Sequence, residues 1–133
     1  MQSPSEVIMV RSLGFGYDPE TANSNAFQHK PLNDETKKYC NLALQEFDKT
    51  VSTLESFGVK VTVFEEDEGS LSLKPDSIFP NNWFSTHDNG MIFLFPMMAK
   101  QRRLEKRHDI VEYLKANYKV LKRLFLILGL LFI

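Results

Sequence analysis

Leu44, Phe47, Val51 and Leu54 recur at steps of three and four residues, and Gly58 follows closely. That spacing lays one apolar stripe along a helix. A Gly just past the last turn ends such a helix in the left-handed conformation. Val59-Lys60-Val61-Thr62-Val63-Phe64 then alternates and is rich in β-branched residues, which predicts a strand. Helix, Gly and strand in quick succession commit the chain to α/β architecture. Upstream, Glu6-Val7-Ile8-Met9-Val10-Arg11 predicts a buried strand, and the Gly-rich Leu13 to Pro19 a loop. Asn33 or Asp34 is placed to cap the helix, with Asp34 and Glu35 in its first turn.

The second half repeats the theme in another order. Trp83-Phe84-Ser85-Thr86 is β-prone, and Asp88-Asn89-Gly90 predicts a hairpin turn with positive φ at both central positions. Met91 to Phe95 is apolar throughout, as a strand buried on both faces would be, and Pro96 stops it. Gln101 to about Tyr118 reads as one charged helix with Leu104, Ile110, Val111 and Leu114 as its apolar stripe. Tyr118-Lys119-Val120-Leu121 would start a further strand. A strand–strand–helix–strand unit therefore fits Trp83 to Leu121.

Composition removes several function classes. Sixteen Lys plus Arg against 17 Asp plus Glu give a net charge of −1, so no overall field draws nucleic acid or an anionic membrane. The single Cys40 excludes an internal disulfide framework and points to a reducing compartment, here the cytoplasm. The N-terminus lacks the basic and apolar regions of a signal peptide.

The densest chemistry lies in Lys74-Pro75-Asp76-Ser77-Ile78-Phe79-Pro80-Asn81-Asn82-Trp83-Phe84-Ser85-Thr86-His87. It holds one carboxylate, two adjacent carboxamides, the only Trp and an imidazole, stiffened by two prolines. Such a set suits recognition of a polar, planar group. Asp76 can accept from an ammonium or guanidinium. Asn81 and Asn82 both donate and accept, which fits a neutral urea-like group better than a cation. The plainer alternative is that the two Asn only turn the chain.

Other sites find less support. Cys40 sits mid-helix with no His near it in sequence, as a packed, inert thiol would. His29, His87 and His108 are scattered, so no zinc pattern exists, and no phosphate loop, dinucleotide fingerprint or nucleophile elbow is present. Glu65-Glu66-Asp67-Glu68 reads as a solvated loop, because consecutive residues on an extended chain point to opposite sides. Arg102 and Arg103 can hold a substrate carboxylate. Alternatively they form a solvated helix start, although cations there oppose the helix dipole.

Three strings carry a resemblance: Ile8-Met9-Val10-Arg11, Thr21-Ala22 with Asn25-Ala26-Phe27-Gln28, and Asp76 to His87. Together they resemble the amidinotransferase-like branch of the guanidine-modifying (pentein) superfamily, nearest the citrulline-hydrolase group related to arginine deiminases and dimethylarginine dimethylaminohydrolases. The resemblance spans roughly Val7 to Tyr118. It implies an α/β propeller of five strand–helix blades, of which residues 1–120 would be the N-terminal part, about half. It implies that Asp76 touches the substrate α-amino group, that Arg102 or Arg103 holds the α-carboxylate, and that Phe27 and Gln28 form an early substrate loop. Asn81 and Asn82 stand where relatives carry a Glu-Asp pair that grips a guanidinium. The implied chemistry is Cys-dependent C–N hydrolysis in arginine metabolism, with a His moving protons. No residue here matches that Cys or that His, so no catalytic residue is assigned.

The expectation is thus the N-terminal portion of a hydrolase for a ureido or guanidino amino acid, inactive alone, without metal or cofactor. From a different class, the alternative is a non-catalytic small-molecule-binding or interaction module; ligand calorimetry and oligomeric state discriminate them. Residues 121–133 form an apolar tail unlike the family continuation, read as a truncation or frame change. It is far short of the ~20 residues a membrane span needs. Exposed propeller edges would promote self-association.

Overall fold

The computed structural model describes residues 4–22, 26, 29–30, 35–66 and 74–125. The chain divides into two compact units, Met1–Phe79 and Pro80–Ile133.

In the first unit, β1 (Glu6–Arg11) pairs in parallel with β2 (Lys60–Glu65), and α1 (Thr36–Ser56) lies between them in sequence. The register runs from Glu6 beside Lys60 to Arg11 beside Glu65. Of the expected stripe on α1, Phe47 is buried and Leu44, Val51 and Leu54 are half-buried. Gly58 ends the helix with φ of +79°, as its position required. The helix start differs from expectation. Glu35 occupies the N-cap position and makes no cap bond; its carboxylate accepts from Lys38 and the Tyr39 hydroxyl instead. The proposed caps Asn33 and Asp34 lie outside the described residues. Arg11 donates twice to Asp48, at 2.8 and 2.9 Å, which ties β1 to α1 and holds the Asp48 carboxyl below its ordinary range.

The second unit contains β3 (Phe84–Thr86), β4 (Met91–Leu94), α2 (His108–Asn117) and β5 (Lys122–Phe125) in the order β3-β4-β5. β3 and β4 are antiparallel, and β4 and β5 parallel, so the strand–strand–helix–strand reading holds. Its last strand begins later than Tyr118, at Lys122, after an extended lead-in. β4 alternates rather than burying both faces: Ile92 and Leu94 are buried, Met91 and Phe93 only partly. Trp83, Phe84, Ile92, Leu94, Met97, Ile110, Val111 and Leu114 make the core of this unit.

Two local readings need correction. The turn has positive φ only at Gly90 (+75°), with Gly90 N–H donating to His87 at 2.9 Å and His87 N–H to Met91 at 3.0 Å. That is a three-residue loop closing on a left-handed Gly, a form that leaves Asp88 and Asn89 in ordinary conformations. The single long helix is in fact two pieces, a 3-10 turn at Gln101–Glu105 and α2. Lys106 and Arg107 between them are extended. The break shifts the phase of the stripe, and Leu104 lies 51% exposed. Among the described residues, no helix is long and apolar enough to cross a membrane.

Candidate functional site

The Pro-Asp-Ser segment closes the first unit as a turn. Ser77 N–H donates to Lys74 at 3.2 Å and Phe79 N–H to Asp76 at 3.1 Å. Pro75, Asp76 and Ser77 are buried, and Asp76 is engaged with its surroundings. Its anchor is a polar cluster that the sequence did not disclose. Glu66 is buried rather than solvated, which corrects the reading of the acidic run at that residue. Its Oε2 accepts from the Ser12 hydroxyl (3.1 Å), the Ser77 hydroxyl (3.0 Å) and the Leu13 N–H (3.3 Å). The Lys74 ammonium lies 4.0 Å from Oε1. The parallel register sets this up. Because Arg11 faces Glu65, the next residues, Ser12 and Glu66, leave the two strands side by side. Glu65 remains exposed. Choosing between adjacent acids requires the strand register, which no local pattern reports.

The Asn pair opens the second unit. Pro80–Asn82 is a 3-10 turn, with Trp83 N–H donating to Pro80 at 3.1 Å. Pro80 and Trp83 are buried, and the indole packs against Phe84 at 4.5 Å between ring centroids. The Trp of the motif is thus a core anchor rather than a ligand platform. It holds the turn while Asn81 and Asn82 stand exposed. Neither Asn amide hydrogen-bonds to another described residue. His87 ends the motif, its Nε2 3.0 Å from Ser85 Oγ and its ring edge-on to Phe93.

Arg102 and Arg103 differ sharply. Arg102 makes a bidentate pair with Glu105, at 3.1 and 3.0 Å, and the Glu105 side chain is 1% exposed. A 3-10 turn repeats every three residues, so the two side chains share a face. Arg103 donates through Nε to Met97 O (2.8 Å) and through Nη2 to Met98 O (3.2 Å). Both partners are neutral, so among the described residues its charge meets no acid. Phe27 and Gln28 lie outside the described residues.

Cys40 offers no activated nucleophile. Its Sγ donates to the Phe15 carbonyl at 2.8 Å, and burial pushes the thiol pKa up. Among the described residues, no three His, Cys, Asp or Glu side chains gather as a metal site requires.

The family model for N,N dimethylarginine dimethylhydrolase, eukaryotic, matches residues 11–126. The chain belongs to this family. The match takes in every candidate from Phe27 to Arg103, together with Ser12, Glu66 and Ser77. Dimethylarginine dimethylhydrolases fall within the guanidine-modifying superfamily, hydrolases of guanidino-type amino acids, as the resemblance implied. No curated protein and no solved structure matches the chain.

Proposed function

We propose that the chain is the N-terminal portion of a hydrolase acting on the C–N bond of a ureido or guanidino amino acid, with a citrulline-like substrate. One observation carries the reading: two adjacent carboxamides, Asn81 and Asn82, stand exposed on a turn anchored by buried Pro80 and Trp83. They occupy the place of the Glu-Asp pair that grips a guanidinium in relatives. Carboxylates only accept, whereas amides also donate, so the exchange favours a neutral ureido head over a cation. Asp76 takes the α-amino group, and Phe27 and Gln28 belong to the early substrate loop. Of the two arginines, Arg103 suits the α-carboxylate, because Glu105 already neutralises Arg102. In this proposal β1-α1-β2 and β3-β4-α2-β5 are strand–helix units of a five-bladed propeller, and the nucleophilic Cys and catalytic His lie in sequence outside these 133 residues.

Calorimetry tests it. The chain is expected to bind L-citrulline in preference to L-arginine without releasing ammonia. The double variant Asn81→Glu/Asn82→Asp is expected to swing the preference toward arginine by roughly tenfold or more, the scale of one charge-assisted hydrogen bond. Tighter binding of arginine by the unmodified chain would contradict the ureido reading. Citrulline hydrolysis lost on Asn82→Ala would contradict the missing-half reading.

A further inference from the structure

We infer that Glu66 is a positioning residue for the turn at residues 74–79, acting through Ser12 and Ser77 to fix the backbone that carries Asp76. The inference rests on the proposed role of Asp76 in holding the substrate.

Proton accounting shows why an accepting oxygen that carries no proton of its own is needed there. Each Ser hydroxyl has a single proton to give. Ser12 and Ser77 both reach Glu66 Oε2, and the Leu13 N–H reaches it too. A carboxyl or carboxamide oxygen can accept from these donors without competing for a proton, which no apolar side chain at position 66 could do. The Ser77 hydroxyl also lies 2.8 Å from Ser12 Oγ, so its one proton is shared between Ser12 and Glu66 while Ser12 gives its own to Glu66, and the cluster is continuous from β1 through β2 to the turn. The Glu66 backbone N–H closes it from the other side by donating to Arg11 at 3.3 Å.

The surroundings give the cluster unusual weight. Among the described residues of the first unit, only Val10 and Phe47 are buried hydrophobic side chains. Ser12, Asp18, Glu66, Asp76 and Ser77 are buried in the same unit, with Pro75 of the turn. A turn with so little apolar packing depends on hydrogen bonds for its conformation. Ser77 is the residue after Asp76, and both its hydroxyl and its N–H are bonded. Releasing the hydroxyl therefore frees the backbone on which the Asp76 carboxylate is mounted.

Two measurements on the full chain separate this from the ligand reading. Hydrogen exchange follows the Ser77 and Phe79 amides, whose acceptors are within the turn, against the β-ladder amides of Met9 and Thr62. In Glu66→Ala and in Ser77→Ala the turn amides are expected to exchange roughly tenfold faster, matching loss of a hydrogen bond to a charged group. The ladder amides should hold. Glu66→Gln keeps one accepting oxygen and should stay near the unmodified rate. Turn amides unchanged in both Ala variants, or turn and ladder accelerated together, would overturn the inference. Ser77→Ala decides it if Glu66→Ala does not fold.

Calorimetry with L-citrulline is the second arm. Glu66→Ala should weaken binding as Asp76→Ala does, with Glu66→Gln restoring it. Unchanged affinity beside a loosened turn would overturn the positioning role. If the unmodified chain takes up no citrulline, the ligand reading fails, and the exchange arm alone decides whether Glu66 moors the turn.

Discussion

Arg102 and Glu105 show how much a single residue's role depends on its partner. The Glu105 carboxylate is almost wholly buried, with both oxygens within about 3.1 Å of the Arg102 guanidinium. Removing the cation takes a bidentate partner from a buried carboxylate, a loss that reaches about 3–5 kcal/mol. That approaches the whole stability of a small domain. Arg102→Ala is therefore expected to lower the urea midpoint severely, and the double variant Arg102→Met/Glu105→Leu to recover most of the loss. A midpoint unmoved by Arg102→Ala would show that the pair carries no structural load. Arg103 lacks this burden, since it donates to two carbonyls of the preceding loop. In sequence the two arginines are equivalent neighbours. Only the buried acid three residues on distinguishes them.

At the level of elements, Gly58 and Gly90 form a natural comparison. Both adopt positive φ, at +79° and +75°. A Cβ on Gly58 would meet nothing within 4 Å. A Cβ on Gly90 would lie 2.7 Å from the Lys119 carbonyl oxygen and 3.0 Å from Leu121 Cγ. Gly90 also accepts from Leu121 N–H at 2.8 Å, which starts the parallel pairing of β5 on β4. Gly58→Ala should cost about 1–2 kcal/mol, the conformational penalty alone. Gly90→Ala should cost clearly more, because the lead-in to β5 must move. Equal losses in chemical denaturation would show that the close approach is unimportant. The Asn-Gly pair marked a turn in the sequence, but the approach of residues 119–121 to it was invisible there. Sequence patterns report neighbours along the chain, and this contact joins segments about thirty residues apart.

For the whole molecule, the unsatisfied surface matters most. Both strands of the β1–β2 sheet are edges among the described residues, and Phe57, Met98 and Leu121 are 82%, 77% and 67% exposed. Open edges and bare apolar side chains template association. The chain is expected to self-associate with rising concentration, and a clean monomer in sedimentation would refute this. The same thin packing is what assigns the Ser12–Glu66–Ser77 cluster its weight in the first unit.

Local chemistry determined the elements. Glu6–Arg11 formed the expected strand, although only Val10 of it is buried rather than the whole run, the stripe from Leu44 to Leu54 set the inner face of α1, and Gly58 ended it. The Phe-Pro-Asn-Asn-Trp string also pointed to the guanidine-modifying superfamily, which the match over residues 11–126 supports. Tertiary structure decided what local patterns leave degenerate. It broke the expected Gln101–Tyr118 helix at Lys106, buried Trp83 as an anchor, and gave Arg102 a partner while leaving Arg103 its charge. Above all, it selected Glu66 over Glu65. Periodicity says that successive residues face opposite ways, but only the pairing of β1 with β2 says which way is in.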